Sequence, residues 1–183
     1  GTIKINDDDA YTNKLSVSLT LSATDTNGID KMQFSNDGIT YTTAEVYGTT
    51  KAWTLATGDG LKTVYVKYQN KLGPWSSAIS DTITLDTIAP IFNFVVPLDG
   101  STFYEGDTVS ISATISGTAL SPLEYQYSID GIIKQSWSSV INYSWIVLAG
   151  DKGVHKIRAE VRDIGGSSAK ENEIYVFRKP IEP

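Results

Sequence analysis

Any chemistry in this chain must come from carboxylates and aromatic rings. Cysteine is absent and His155 is the one histidine, which removes thiol catalysis, disulfides and cysteine-ligated zinc together. A Ser-His-Asp arrangement would need that histidine beside a nucleophile, and no Gly-Xaa-Ser-Xaa-Gly elbow occurs. His155 instead shares the parity of Ile157, Ala159 and Val161, and reads as a packing or strand-end polar residue. Most of the 21 Asp and Glu sit in turns such as Asp37-Gly38, where aspartate has a structural reason to be. Hydrolysis by a carboxylate pair also needs a scaffold large enough to enclose a sugar between the two acids. The chain is not expected to be an enzyme.

Two kinds of ligand remain. Hard oxygen ligands converging at a domain junction suit calcium, which takes six to eight oxygens. Asp7, Asp8 and Asp9 in the first inter-strand loop, Asp86 at the boundary and Asp163 in the last hairpin form the candidate set. No spaced motif like a calcium-binding helix-loop-helix is present, so the competing expectation is a solvated acidic loop and no cofactor. Sugars stack on aromatic rings, and four Trp, ten Tyr and five Phe provide for that. Trp53 and Trp145 recur at one repeat offset and are expected to be buried core residues. Trp75 and Trp137 do not recur, which makes them the candidate ligand-binding residues.

The elements that position these groups are written twice. Val17–Ala23 returns as Val109–Ile115, an offset of 109 − 17 = 92. Phe34-Ser-Asn-Asp-Gly38 returns as Tyr127-Ser-Ile-Asp-Gly131, with 131 − 38 = 93. Two copies of one supersecondary plan divide the 183 residues into modules at 1–87 and 88–183. Within each copy apolar and polar residues alternate strictly, as in Val17, Leu19 and Leu21 against Ser18, Thr20 and Ser22. Such strands belong to antiparallel sheets with one wet face, and two of these make a sandwich. Asn36-Asp37-Gly38 and Asp130-Gly131 read as tight hairpins. Ala89-Pro90 reads as a short, stiff hinge. Edge strands are expected to be blunted by charge or proline.

The net charge of −6 is the wrong sign for nucleic acid or for polybasic attachment to lipid. No apolar run approaches the ~20 residues a membrane helix needs, so no membrane insertion is expected. Gly1 opens directly into Thr2-Ile3-Lys4-Ile5, and the chain reads as a fragment cut from something longer.

Several stretches carry a resemblance. They are Val17–Asp25, Met32-Gln-Phe-Ser-Asn-Asp-Gly38, Trp53-Thr-Leu55, Asp59–Val66 and Asp81–Pro90 in the first copy, with Pro97-Leu-Asp-Gly100 and Gly106–Val109 in the second. The chain resembles the bacterial immunoglobulin-like or fibronectin-III-like repeats of secreted and cell-surface proteins. That resemblance implies an all-β fold of two tandem immunoglobulin-like antiparallel β-sandwiches. It implies an extracellular setting. The chain is accordingly read as a non-catalytic spacer or adhesion segment in a bacterial extracellular or surface protein, next to further repeats of the same polypeptide, with a surface protein or glycan as partner. The alternative is an accessory carbohydrate-binding region of a larger secreted glycan-active enzyme.

Overall fold

The computed structural model describes residues 1–180. It divides into two compact units, Gly1–Thr87 and Ile88–Pro183. In the first, the strands are β1 (Thr2–Ile5), β2 (Tyr11–Thr12), β3 (Ser16–Ser22), β4 (Ile29–Ser35), β5 (Glu45–Val46), β6 (Thr50–Thr54), β7 (Gly60–Asn70) and β8 (Ile79–Leu85). They form a three-stranded sheet, β1-β3-β6, and a five-stranded sheet, β2-β8-β7-β4-β5. Alternation decides which side of each strand is buried. Val17, Leu19 and Leu21 of β3 and Val64, Val66 and Tyr68 of β7 are at most 4% exposed. They meet Ile3, Ile5, Met32, Phe34 and Ile83 in one core between the sheets.

The second unit repeats the plan with β9 (Phe92–Val96), β10 (Ser101–Tyr104), β11 (Thr108–Ile115), β12 (Glu124–Ile129), β13 (Ile132–Ser138), β14 (Asn142–Ile146), β15 (Gly153–Asp163) and β16 (Gly166–Phe177). Its sheets are β9-β11-β14 and β10-β16-β15-β12-β13. The repeat survives at the level of single pairs: Val17 lies opposite Trp53, and Val109 lies opposite Trp145. Among the described residues, all strand pairs but one in each unit are antiparallel. β2 runs parallel to β8, and β10 runs parallel to β16.

Trp53 and Trp145 are not buried as expected. Both are partly covered, packed against the cores from the edge strands β6 and β14. Trp53 tilts against Phe34 with ring centroids 5.5 Å apart and donates its indole N–H to Asn36 Oδ1 at 2.8 Å. The aromatic residues buried completely in the two cores are Phe34 and Tyr127, both at 0% exposure.

The two expected hairpins also differ. Asp130 (φ 52°) and Gly131 (φ 77°) make a two-residue turn between β12 and β13, as the primed turns require. In the first copy Asp37 follows another course: its Oδ1 accepts from the Ser35 hydroxyl (2.7 Å), the Ile39 amide (2.8 Å) and the Thr40 amide (2.7 Å). Those bonds hold an open loop, so β5 keeps two residues where β13 has seven. The same bonds, the Ser35 hydroxyl foremost, lower the Asp37 pKa to about 2. A carboxyl depressed in the folded state stabilises above its unfolded pKa and loses that contribution as pH falls through the folded one. The first module should therefore weaken between about pH 4 and pH 2, and acid titration of Asp37→Asn should lack that part of the loss.

Edge strands are blunted unevenly. β5 has two residues, and the β12–β13 register shifts twice. β14 carries neither charge nor proline in Asn142–Ile146, contrary to expectation. On the wet face of β15, by contrast, Lys156 pairs with Glu171 (3.3 Å), Arg158 with Glu160 (2.8 Å) and Arg162 with Glu124 (2.7 Å).

Candidate functional site

The connection between β7 and β8, residues 71–78, has no counterpart of its length in the second module, where Ile164 and Gly165 alone join β15 to β16. Its path is set by local bonds. Leu72 N–H donates to Asn70 Oδ1 (3.0 Å), Gly73 N–H to Asn70 O (3.1 Å) and Gln69 Nε2 to Gly73 O (2.6 Å). Gly73 takes φ 106°, which a side chain would resist. The chain then returns through Pro74, and Trp75 forms a bridge to Gln69.

Trp75 thereby walls a cleft of about 240 Å³ with Thr24, Asp25, Ile29, Tyr68 and Asn70. Tyr68 donates its hydroxyl to Thr2 O at 2.8 Å, and burial, with Tyr47 beside it, raises its pKa to about 12. Asp25 is held below the ordinary carboxylate range, first by the Asn27 amide at 2.8 Å and then by the Asn70 side chain. It is ionised at neutral pH and only accepts hydrogen bonds. Tyr68 is 3% exposed and belongs to the core, so the Trp75 indole is the ring that can stack on the apolar face of a sugar, with one carboxylate and one amide beside it to bond the hydroxyls. The cleft contains a single carboxylate, one short of the pair that glycosidic hydrolysis uses. Only Trp75 was visible as a candidate in the sequence. Asp25, Tyr68 and Asn70 come from two other strand ends and carry no local signal of their partnership.

Trp137 is placed differently. It lies on the edge strand β13 of the other module, and the Arg162 guanidinium sits 4.3 Å from its ring centre. That cation is held in turn by Glu124. One face of this indole is therefore already occupied, by a cation–π contact. Sequence reading also left unassigned a groove of about 300 Å³ between Phe34, Asp37, Tyr41 and Trp53. Tyr41 lies there with Lys67 4.3 Å over its ring and its hydroxyl buried without a hydrogen-bond partner. An apolar patch of Tyr104, Val154, Tyr175 and Phe177, each 39–55% exposed, covers one end of the outer face of β10-β16-β15.

The acidic candidates fall into structural roles. Asn6, Asp7 and Asp8 have φ of 46°, 58° and 72°, a left-handed turn that carries the chain from β1 in one sheet to β2 in the other. Asn and Asp tolerate this region better than other side chains with a Cβ, because their short polar groups bond locally. Asn6 Oδ1 accepts the Ser18 amide (2.9 Å), Asp7 Oδ1 accepts the Thr20 hydroxyl (2.8 Å), and Asp8 pairs with Lys4. The turn leaves β1 beside Leu19, midway along β3, not at the end of the sandwich where Asp86 lies. Asp86 is 3% exposed, and its amide donates to Thr12 O at 2.9 Å. Asp163, in the other module, accepts the Gly166 amide at 3.1 Å through Oδ1. Among the described residues no three or more His, Asp or Glu side chains are grouped so as to hold a metal ion. A ligand that binds only the folded state would raise the unfolding temperature. Melting curves in millimolar calcium and in chelator should coincide.

Among the described residues no helix is long and apolar enough to cross a membrane. No protein-family model matches the sequence, and no curated protein matches it. Solved structures do match. The fibronectin(III)-like modules of Clostridium thermocellum CbhA give a TM-score of 0.52 at 16% identity, covering 97% of this chain and 95% of theirs. An I-band fragment of titin gives 0.57 at 14% identity, over 92% of this chain and 61% of the fragment. At such identities the likeness concerns the fold. With the sheet order and the paired cores, it identifies the chain as two β-sandwich modules of the immunoglobulin-like and fibronectin-III-like type.

Proposed function

We propose that the two modules form a non-catalytic, load-bearing spacer or adhesion segment of a bacterial extracellular or surface protein. The observation that carries this reading is the pair of parallel contacts in each sandwich. A strand near the start of each module runs parallel to its last strand: Tyr11–Thr12 beside Thr84–Leu85, and Ser101–Tyr104 beside Ile174–Phe177. Tension applied at the two ends of a module pulls such a pair along its length. All of its hydrogen bonds must then fail together, whereas an antiparallel hairpin pulled at its open end loses them one by one. This is the geometry a segment needs if it is to hold a binding domain away from a surface against drag.

Single-molecule pulling on the full chain tests it. Two separate unfolding events are expected, each releasing roughly 25–30 nm of chain. The module with four parallel pairs should yield at the higher force and the one with two pairs at the lower. Gradual extension without discrete events would overturn the reading. The second reading, an accessory carbohydrate-binding region, is favoured by the Trp75 cleft. Calorimetric binding to plant or bacterial glycans that disappears in Trp75→Ala would promote it over the spacer.

A further inference from the structure

We propose that His155 is a proton-operated latch on the second module: as imidazolium it ties both the Asp130–Gly131 turn and the 148–152 loop to β15, and it lets one of them go when it loses its proton. Its Nδ1 lies 2.7 Å from Asp130 Oδ2, and its Nε2 lies 2.6 Å from the Asp151 carbonyl oxygen. An ionised carboxylate and a carbonyl can only accept, so each ring nitrogen must donate for both contacts to hold. Only the doubly protonated ring does this. A neutral ring has one N–H, and its other nitrogen then turns a lone pair toward an oxygen at hydrogen-bonding distance.

The surroundings fix the acceptors in place. Asp130 Oδ1 accepts the Lys156 amide at 2.9 Å, and Asp151 Oδ2 accepts the Leu148 amide at 2.8 Å. From β10's end Glu105 accepts the Gly150 amide at 3.1 Å, so the loop is held from two sides. The Trp145 indole meets the imidazole edge-on at 5.1 Å, and Ile174 lies opposite on β16. The histidine side chain is 15% exposed. The charged groups facing it are thus Asp130 and Asp151, with Lys134 acting on Asp130 from β13. Burial alone would lower the histidine pKa, but the bonds to Asp130 and Asp151 outweigh it and leave the pKa above the ordinary 6.5. Burial likewise acts against the Asp130 carboxylate, and the Lys156 amide and His155 outweigh it to hold that pKa below 3.8.

A histidine raised in the folded state stabilises fully below its unfolded pKa, and that contribution is lost as pH rises through the folded value. A depressed aspartate keeps its own contribution until pH falls through its lowered pKa. The latch is therefore closed in mild acid and opens on the alkaline side of 6.5. The first module is a built-in control: it has no histidine, and the repeat-equivalent position, 155 − 93 = 62, is Lys62, which reaches the Thr57 carbonyl at 3.4 Å.

The test uses the full chain. As the one histidine, His155 gives an unambiguous ring-proton NMR titration, whose midpoint is expected above 6.5 and lower in Asp130→Asn. Between pH 5.5 and 8.5 the second module's unfolding temperature should drop by about 4–8 °C relative to the first, and His155→Gln should abolish that difference. A midpoint at or below 6.5 would overturn the proposal, as would a His155→Gln chain that keeps the same pH difference. Should His155→Gln fail to fold, the titration of the unmodified chain decides by itself.

Discussion

Phe34→Ala should strip the first module of roughly half its stability while the second unfolds at its usual midpoint. Phe34 is fully buried, between Trp53 on one sheet and its own strand β4 on the other. Truncating a buried phenylalanine forfeits the transfer free energy of the ring and leaves a cavity that a close-packed core closes only in part, about 3–5 kcal/mol together. A module of 87 residues buries a modest share of its surface and has stability of only about 5–10 kcal/mol to lose. The two cores share no residue, which confines the damage. Urea unfolding followed by tryptophan fluorescence should show one transition displaced and one unmoved. A shift of under about 1 kcal/mol would mean that Phe34 is not the keystone of that core.

Tyr127→Ala should cost the second module at least as much. Tyr127 stands at the repeat-equivalent position, 34 + 93 = 127, and is equally buried. It adds one feature that Phe34 lacks: its hydroxyl donates to the Ile141 carbonyl and so ties β12 to the chain entering β14. Burial, with Tyr125 close by, pushes its pKa up to about 12, so the phenol stays protonated and keeps donating through the physiological range. Tyr127→Phe isolates the hydroxyl. It should cost about 0.5–1.5 kcal/mol, the net worth of one hydrogen bond, while Tyr127→Ala adds the ring and the cavity for about 3–5 kcal/mol. The graded pair separates packing from hydrogen bonding at one site. Equal losses in the two variants would assign the whole effect to the hydroxyl.

Much of this protein is determined by local pattern. The alternation of Val17, Leu19 and Leu21, or of Ile157, Ala159 and Val161, specifies strands with one buried face, because the side-chain period of a strand is two. The offset of 92 to 93 specifies two modules of one plan, and Asp130-Gly131 specifies its turn because few residues accept a positive φ. What alternation does not encode is the place of a strand within its sheet. Trp53 and Trp145 have inward parity and recur in register, yet β6 and β14 lie at sheet edges, where a strand has a neighbour on one side only, and both indoles stay partly covered. The acidic run shows the same boundary from the other side. Asp7 and Asp8 look like loose ligands in one dimension. They become the corner of a sheet-to-sheet crossing once Ser18 and Thr20 of β3 arrive to bond Asn6 and Asp7.

The sites depend still more on tertiary structure. Trp75 was legible because it breaks the repeat, but the cleft exists only where residues 24–25 and 68–70 meet it, brought together by the β4–β7 pairing. Trp137 was legible for the same reason, and Arg162, twenty-five residues away in sequence, takes one face of its ring. His155 read as a strand-end polar group from its parity. Its two acceptors belong to a turn and a loop that only the closed sandwich sets on either side of the ring. Strands follow from a period that each segment carries within itself. A site needs side chains from segments far apart in the chain, and their distances are fixed by sheet order and register, which no single segment contains.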